Sequence, residues 1–153
     1  VDMISVNTTS VLRIIKHFYG SIHSRKPFYT AVMVSIAGFM SSPFFSVYGA
    51  SKAALKIFIE SVNVELKKSG TDNRILNVSP GRINGTNFYN GANNLSLLYP
   101  LADEIIYHMN NRNDLFIPEY EEVFKKVLER YHRDFRAEGE HSYEYKQEQL
   151  KRK

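Results

Sequence analysis

The sequence contains no cysteine among its 153 residues. This absence excludes a disulfide framework, a thiolate metal site and a cysteine nucleophile. The sequence also lacks any apolar stretch near the ~20 residues that a membrane-spanning helix requires, and its start at Val1 and Asp2 lacks the basic and then apolar order of a signal peptide. We therefore expect one domain with an ordinary core, located in the cytoplasm and without a membrane partner.

The sequence has a small excess of positive charge. It contains 20 Lys and Arg residues and 16 Asp and Glu residues, which gives a formal net charge of +4. Residues 119–153 hold nine acidic and nine basic side chains, so the charges of this segment cancel. The remaining excess is diffuse, and we expect no nucleic-acid partner. The five histidines show no paired ligand spacing, so we expect no metal site either.

Apolar periodicity predicts an alternation of helices and strands. Four segments have helical spacing: residues 3–22, 47–68, 101–109 and 119–136. Three short apolar runs are typical of strands: residues 28–36, 74–78 and 115–117. We expect the first of these strands to be buried on both faces and the charged chain after Gly139 to be frayed. The order of elements predicts an α/β fold with an open, doubly wound parallel sheet and helices on both faces.

Small polar residues follow two of the predicted strands, at residues 35–38 and 79–86. Ligands of open parallel sheets bind at the carboxyl ends of the strands, so we expect the functional site there. Residues 82–99 are predicted to form a long loop with at most a short helix. Four aromatic residues near these segments fit either a substrate pocket or ordinary core packing: Phe44, Phe45, Phe88 and Tyr89.

Tyr48 and Lys52 stand four residues apart in the helix predicted at 47–68, so their side chains emerge on one face. A free phenol has a pKa near ~10 and is a poor acid–base catalyst at neutral pH until a neighbour favours its ionised form. An ammonium one helical turn away does favour that form. The same spacing also fits an aromatic residue at a helix start beside a solvated charge.

The wider context of this pair resembles a known family. The stretch YGASKAAL at 48–55 is similar to the active-site Tyr-x-x-x-Lys signature of the short-chain dehydrogenase/reductase family. Ser35 in VSIAG stands thirteen residues before the tyrosine, as the family's catalytic serine does, and Asn7 in SVNTT resembles the asparagine of the family's catalytic tetrad. The resemblance implies the C-terminal half of a Rossmann-like domain over residues 1–117, followed by a C-terminal helix and charged tail over 118–153.

The resemblance also implies an activity, namely hydride transfer between NAD or NADP and a small-molecule carbonyl or secondary alcohol. Tyr48 would exchange a proton with the substrate oxygen, and Ser35 would donate a hydrogen bond to that oxygen. Lys52 would favour the phenolate and hold the ribose hydroxyls, while Asn7 would hold a water that links Lys52 to solvent. The sequence gives no preference between NAD and NADP.

The stretch NVSPG at 77–81 resembles the family's Pro-Gly turn beside the nicotinamide. Together with the catalytic pair, it implies six cofactor-binding residues: Tyr48, Lys52, Pro80, Gly81, Ile83 and Thr86. Thr86 stands one residue further along the chain than the corresponding threonine of the family, so its role departs from the family pattern.

The sequence lacks two further motifs of the family. One is the Thr-Gly-x-x-x-Gly-x-Gly turn after the first strand of its members, and the other is the later Asn-Asn-Ala-Gly strand. We therefore expect a truncated catalytic half that binds little dinucleotide by itself. The alternative is a catalytically silent remnant that serves as a binding or interaction module. A glycine-rich βαβ unit encoded immediately upstream of Val1 would favour the enzyme.

We also expect a homo-oligomer. In the family, the helices that correspond to residues 3–22 and 47–68 commonly build a dimer interface. In addition, the strand at 28–36 would lack the neighbour that pairs with it in relatives, which leaves a hydrogen-bonding edge uncovered.

Overall fold

The computed structural model describes residues 2–87 and 92–151. Within them, three strands form one parallel sheet in the order β1–β2–β3: β1 (Thr30–Met33), β2 (Ile75–Val78) and β3 (Leu115–Phe116). The α-helices are α1 (Ser10–His23), α2 (Ser46–Ser69), α3 (Tyr99–Asn110), α4 (Lys125–Arg133) and α5 (Phe135–Lys151). The predicted α/β fold with an open parallel sheet is confirmed. Phe88 and Tyr89, considered for a substrate pocket, lie outside the described residues.

Helices α1 and α2 pack on one face of the sheet. The core between them and the strands consists of Ile15, Ile22, Val32, Val34, Leu55, Ile59, Val62, Leu66 and Ile75. Burying an aliphatic side chain of this size contributes roughly 1.5–3 kcal/mol, so this apolar face holds α2 on the sheet. Gly70, with φ of +81°, ends α2 in the left-handed conformation that glycine adopts most easily, where the sequence predicts the end of the helix.

Helix α3 packs on the opposite face, where its side chains contact Leu76, Val78 and Phe116 of β2 and β3. All four residues of β2 are buried because it is the central strand. The expectation that the first strand is buried on both faces is wrong, since Val32 is buried but Met33 is 44% exposed. Successive residues of a strand point to opposite faces, and the core on the Met33 side is built from β2 and β3 rather than from β1.

The chain after β3 forms a helical hairpin that begins with a π-helical turn, Tyr120–Phe124, before α4. This turn holds one more residue than an α-helical turn, so Phe124 rather than Val123 packs against the core, and Val123 is exposed. Apolar spacing over residues 119–136 predicts that Val123 lies inside, and this prediction is wrong. Leu128 is buried, as its helical spacing predicts.

The expectation of a frayed chain after Gly139 is also wrong, because α5 continues to Lys151. Asp134 starts this helix, since its side chain accepts hydrogen bonds from the backbone N–H groups of Arg136 and Ala137. The Arg130 guanidinium donates two hydrogen bonds to the buried carboxylate of Glu138, at 2.7 and 3.1 Å, and so joins α4 to α5. None of the helices in the part of the chain that the structure describes is both long and apolar enough to cross a membrane.

Candidate active site

Two strand ends meet at the carboxyl edge of the sheet, as the sequence predicts. The Val34 N–H donates to the Val78 carbonyl (2.7 Å), and the Ile36 N–H donates to the Pro80 carbonyl (3.0 Å). These bonds continue the β1–β2 pairing beyond both strands. Ser35, which lies between the two donors, is therefore held beside the turn that contains Pro80.

The Ser35 side chain starts a short 3-10 turn, Ile36–Gly38, because its Oγ accepts a hydrogen bond from the Ala37 N–H (3.1 Å). The hydroxyl keeps its O–H proton, which it can donate to a substrate oxygen. Gly38 brings this turn directly against α2. A Cβ added at Gly38 would lie 2.8 Å from the carbonyl carbon of Lys52 and 2.9 Å from its oxygen, so only glycine allows this approach.

Lys52 lies beside the Tyr48 ring, with its Nζ 5.7 Å from the ring centroid. The same Nζ donates to the Met33 carbonyl oxygen (2.9 Å), so the ammonium is tied to the end of β1 instead of extending into bulk water. Burial lowers the pKa of Lys52 from its ordinary value of 10.5. An ammonium has three donors, and the two that remain can bind hydroxyl oxygens of a ligand.

The Met33 carbonyl faces the outer edge of the sheet. Within a strand, neighbouring residues direct their N–H and C=O groups to opposite sides, and the next residue, Val34, donates to β2. Lys52 therefore reaches the side of β1 that carries no strand among the described residues. This is the side on which the resemblance places the missing neighbour of β1.

Asn7 is connected to Tyr48 through Ser51. Asn7 lies in a π-helical turn, Ser5–Thr9, and its Nδ2 donates to Ser51 Oγ (3.2 Å). The Ser51 hydroxyl donates in turn to the backbone carbonyl of Tyr48 (2.7 Å), and Thr8 donates to the Ser51 carbonyl (3.0 Å). Ser51 is fully buried, so this connection is shielded from water. The sequence motif does not indicate Ser51, because only Tyr48 and Lys52 define it.

Tyr48 and Lys52 lie in α2, and the other four residues predicted to bind the cofactor lie after β2. Pro80 is buried, and the Phe124 ring packs on Gly81, where an added Cβ would lie 2.4 Å from the ring's Cζ. Thr86 donates its hydroxyl proton to the Ile83 carbonyl (2.9 Å), so these two residues belong to one turn. Their contacts with a cofactor stay a prediction. No local sequence signal indicates Phe124, which lies about forty residues further along the chain.

One protein-family model matches more than half of the chain. The family model described as short chain dehydrogenase matches residues 1–94. The chain belongs to the short-chain dehydrogenase family. The matched residues include the four side chains of the predicted tetrad, whose individual roles stay predictions, together with the Pro80–Gly81 turn.

Three curated proteins illustrate the likeness within the family. An uncharacterised oxidoreductase of Saccharomyces cerevisiae, TDA5, is 38% identical over 80 residues, which cover 52% of this chain and 24% of that protein. A very-long-chain 3-oxoacyl-CoA reductase of Mycosarcoma maydis is 33% identical over 76 residues, 50% of this chain and 22% of the relative. An uncharacterised short-chain type dehydrogenase/reductase of Sinorhizobium fredii, y4eK, is 32% identical over 90 residues, 59% and 35% respectively.

Solved structures match over more of this chain. The apo form of LigD from Sphingobium sp. strain SYK-6 superposes with a TM-score of 0.67 at 26% identity, covering 85% of this chain and 50% of LigD. A 4-hydroxyisoleucine dehydrogenase solved with NADH and succinate has a TM-score of 0.53 at 22% identity over 74% of this chain and 53% of the other, which shows the fold alone. The chain thus spans about half the length of these structures and about a quarter to a third of the curated relatives.

Proposed function

We propose that this chain supplies the proton-transfer centre of an NAD(P)-dependent oxidoreductase, which acts on a carbonyl or secondary alcohol group of a small molecule. The observation that carries the proposal is the Lys52 ammonium, half-buried beside the Tyr48 ring and bound to the end of the strand that leads into Ser35. Surface lysines at this spacing extend into solvent. A desolvated ammonium next to a phenol is the arrangement that proton transfer by a tyrosine requires.

The side chains of the centre have separate tasks in this proposal. Tyr48 gives its phenolic proton to the substrate oxygen during reduction and takes it back during oxidation. Lys52 stabilises the phenolate by its charge, which acts strongly because the site is partly shielded from water. Ser35 donates its hydroxyl proton to the same substrate oxygen and stabilises the charge that develops there. Asn7 holds a water through which the Lys52 proton equilibrates with solvent.

A bound nicotinamide would supply the hydride donor or acceptor. Two features of the chain fit such a group: the spare donors of Lys52 for ribose hydroxyls, and the Pro80–Gly81 turn at the same edge of the sheet. Ile83 and Thr86 would complete this side of the site. The adenosine and pyrophosphate would bind to a glycine-rich unit that the 153 residues do not contain.

Replacement of Tyr48 by phenylalanine tests the proposal. The assay uses a polypeptide that carries both this chain and a glycine-rich cofactor-binding unit, with ketone, secondary alcohol and 3-oxoacyl thioester substrates. The thioester is included because one relative is a 3-oxoacyl-CoA reductase. We expect Tyr48→Phe to lower kcat by ~10²-fold or more, the contribution of a positioned acid–base group.

Tyr107→Phe is the matched control, since Tyr107 is exposed on α3, away from the carboxyl edge of the sheet. The control should retain full activity, and both variants should unfold at the temperature of the parent. Turnover by Tyr48→Phe at the rate of the parent would contradict the proposed role. A parent that turns over none of the substrates would instead favour a silent remnant that serves as a binding module.

We also propose that the chain associates with a second copy through α1 and α2. Both helices expose large apolar side chains: Ile14, Phe18, Ile57 and Val64. Exposed apolar surface of this kind is typical of protein–protein contacts. Sedimentation velocity over a range of concentrations checks the proposal, and a monomer at every concentration would contradict it.

A further inference from the structure

The turn that precedes α2 contains a strained residue. Phe44 has φ of +67°, in the left-handed region that a bulky side chain rarely adopts. Such a conformation persists only where neighbouring contacts hold it, and it is frequent at functional sites. We refer to residues 41–45 as the 41–45 turn.

The shape of the 41–45 turn determines where α2 begins. The Phe45 N–H donates to the Ser42 carbonyl (2.9 Å), and the Phe45 carbonyl accepts from the Gly49 N–H (2.8 Å). Gly49 directly follows Tyr48. A change in the turn would therefore move the first turn of α2 and the phenol that it carries.

Helix α5 packs along this turn with one of its faces. The Tyr143 ring stacks on the Phe44 ring, with centroids 4.7 Å apart and planes inclined by 25°. Gly139 lies close to Ser41, so that an added Cβ would be 3.0 Å from the Ser41 hydroxyl oxygen. Tyr145, two residues beyond Tyr143, is exposed. The contact is thus specific to the face that carries Gly139 and Tyr143.

Lys146 makes the polar part of the same contact. Its Nζ donates to Ser42 Oγ (3.1 Å) and to the Pro43 carbonyl (3.3 Å), and it lies 5.5 Å from the centroid of the Phe45 ring. The ammonium therefore contacts residues on both sides of the strained Phe44. Burial lowers the pKa of Lys146, which agrees with its position between α5 and the turn.

We propose that α5 is a positioning element of the candidate active site, in which Lys146 and Tyr143 hold the strained 41–45 turn and thereby fix the first turn of α2 and Tyr48. The proposal rests on the proposed function for its catalytic consequence. Its structural part, the coupling between α5 and the start of α2, is independent of that function. Neither Lys146 nor Tyr143 is assigned any contact with the reacting atoms.

Native-state hydrogen exchange on the full chain tests the structural part. In Lys146→Met, which keeps most of the length of the side chain but removes the donors, the Gly49 amide should exchange about fivefold faster or more, because its local opening becomes easier. The Asn77 amide, bonded to the Asp114 carbonyl in the sheet, should change by less than about twofold. Lys146→Arg should restore slow exchange, and Lys151→Met, at an exposed position of α5, should behave as the parent.

Tyr143→Ala provides a second variant, and Tyr145→Ala is its control on the exposed side of the helix. Tyr143→Ala alone should speed the exchange of Gly49. Equal acceleration of Gly49 and Asn77 would show that α5 stabilises the whole fold and would overturn the proposal. Unchanged exchange of Gly49 in both Lys146→Met and Tyr143→Ala would overturn it as well.

The catalytic part is tested in the polypeptide that also carries the cofactor-binding unit. We expect Lys146→Met to lower kcat roughly tenfold with KM for the substrate nearly unchanged, because a small displacement of a catalytic group slows chemistry more than binding. Lys146→Arg should recover most of the rate. In a Phe44→Gly background, which removes the positive-φ strain, the effect of Lys146→Met should shrink by about half or more on the logarithmic scale.

The outcomes separate the two proposals. An inactive parent whose Gly49 amide responds to Lys146→Met would overturn the oxidoreductase function and leave the coupling of α5 to the 41–45 turn intact. If the parent is active and Lys146→Met leaves kcat unchanged, the positioning role alone would be overturned. The same holds if kcat and KM change in proportion, since that result indicates altered substrate binding.

Discussion

Gly38 shows how little space separates the turn after Ser35 from Lys52 of α2. Gly38→Ala would place a Cβ 2.8 Å from the Lys52 carbonyl carbon, which is backbone and cannot rotate away. We expect the free energy of unfolding to fall by about 1–3 kcal/mol, the usual effect of overpacking. Denaturation in urea measures this change.

Gly20→Ala is the control for Gly38→Ala and should have the opposite sign. Gly20 lies inside α1, and an added Cβ would meet nothing within 4 Å. Alanine in a helix interior is more favourable than glycine by about 0.5–1 kcal/mol, so this variant should be more stable than the parent. Equal effects of the two substitutions would contradict the close approach at Gly38.

The lowered pKa of Lys52 predicts how its contribution to stability depends on pH. Because the native state binds this proton less tightly, the unfolded state holds more protons between the lowered pKa and 10.5. The native state therefore gains stability as pH rises through that window. Relative to Lys52→Met, the free energy of unfolding of the parent should increase from neutral pH towards 10.5.

Urea denaturation of the parent and of Lys52→Met at a series of pH values measures this difference. Lys68→Met, at an exposed position of the same helix, reports the background from other alkaline titrations. A difference between parent and Lys52→Met that stays constant or decreases with pH would show that burial does not weaken proton binding at Lys52.

At the scale of elements, one buried amide joins α2 to the central strand. The Asn63 side chain donates to the Ile75 carbonyl and accepts from the Ile75 N–H, both at 2.9 Å. In β2, only Asn77 and Val78 pair with β3, so β3 does not extend as far as Ile75. The amide of Asn63 thus takes the place of a neighbouring strand at the start of β2.

Asn63→Leu leaves both buried backbone groups of Ile75 without their partner. Each unsatisfied buried group costs about 1–3 kcal/mol, so the variant should be strongly destabilised in chemical denaturation. Asn111→Ala is the matched control, because Asn111 donates to the Tyr107 carbonyl at the exposed end of α3. A loss in Asn63→Leu no larger than that in the control would contradict the bridging role.

The elements also show which features were predictable. The bounds of α2 and β2 agree with those predicted from the sequence within about two residues. Apolar spacing and the glycine that ends α2, Gly70, are local signals. Helix α5 was not predicted, although Asp134 is a residue that commonly starts helices. Its charged sequence offers few apolar positions, and its packing partner, the 41–45 turn, lies about a hundred residues earlier in the chain.

At the scale of the whole molecule, the sheet order β1–β2–β3 leaves one side of β1 without a strand among the described residues. The sequence contains no glycine-rich strand–helix turn that could bind a pyrophosphate. We therefore expect the 153-residue chain alone to show no micromolar binding of NADH or NADPH in calorimetric titration. Micromolar binding by this chain would show that a glycine-rich unit outside the 153 residues is not needed to bind the dinucleotide. A polypeptide that adds the glycine-rich unit is the positive control.

The sequence by itself determined the alternation of helices and strands and the placement of Tyr48 and Lys52 on one face of α2. Both follow from backbone geometry, since 3.6 residues per turn bring positions four apart together in any helix. The motif spacing also sufficed to indicate the family. These features involve residues that are close in the chain, so no tertiary contact is needed to predict them.

Tertiary structure alone decided which groups meet at the candidate site. The Lys52 ammonium on the Met33 carbonyl, the buried Ser51 between Asn7 and Tyr48, and the packing of α5 on the 41–45 turn all join distant parts of the chain. Each depends on how the helices pack on the sheet. The Lys52 and α5 contacts also lie beside a close approach at a glycine, Gly38 and Gly139 respectively. Such contacts arise from the burial of the whole core, which the residues near each group in the sequence do not determine.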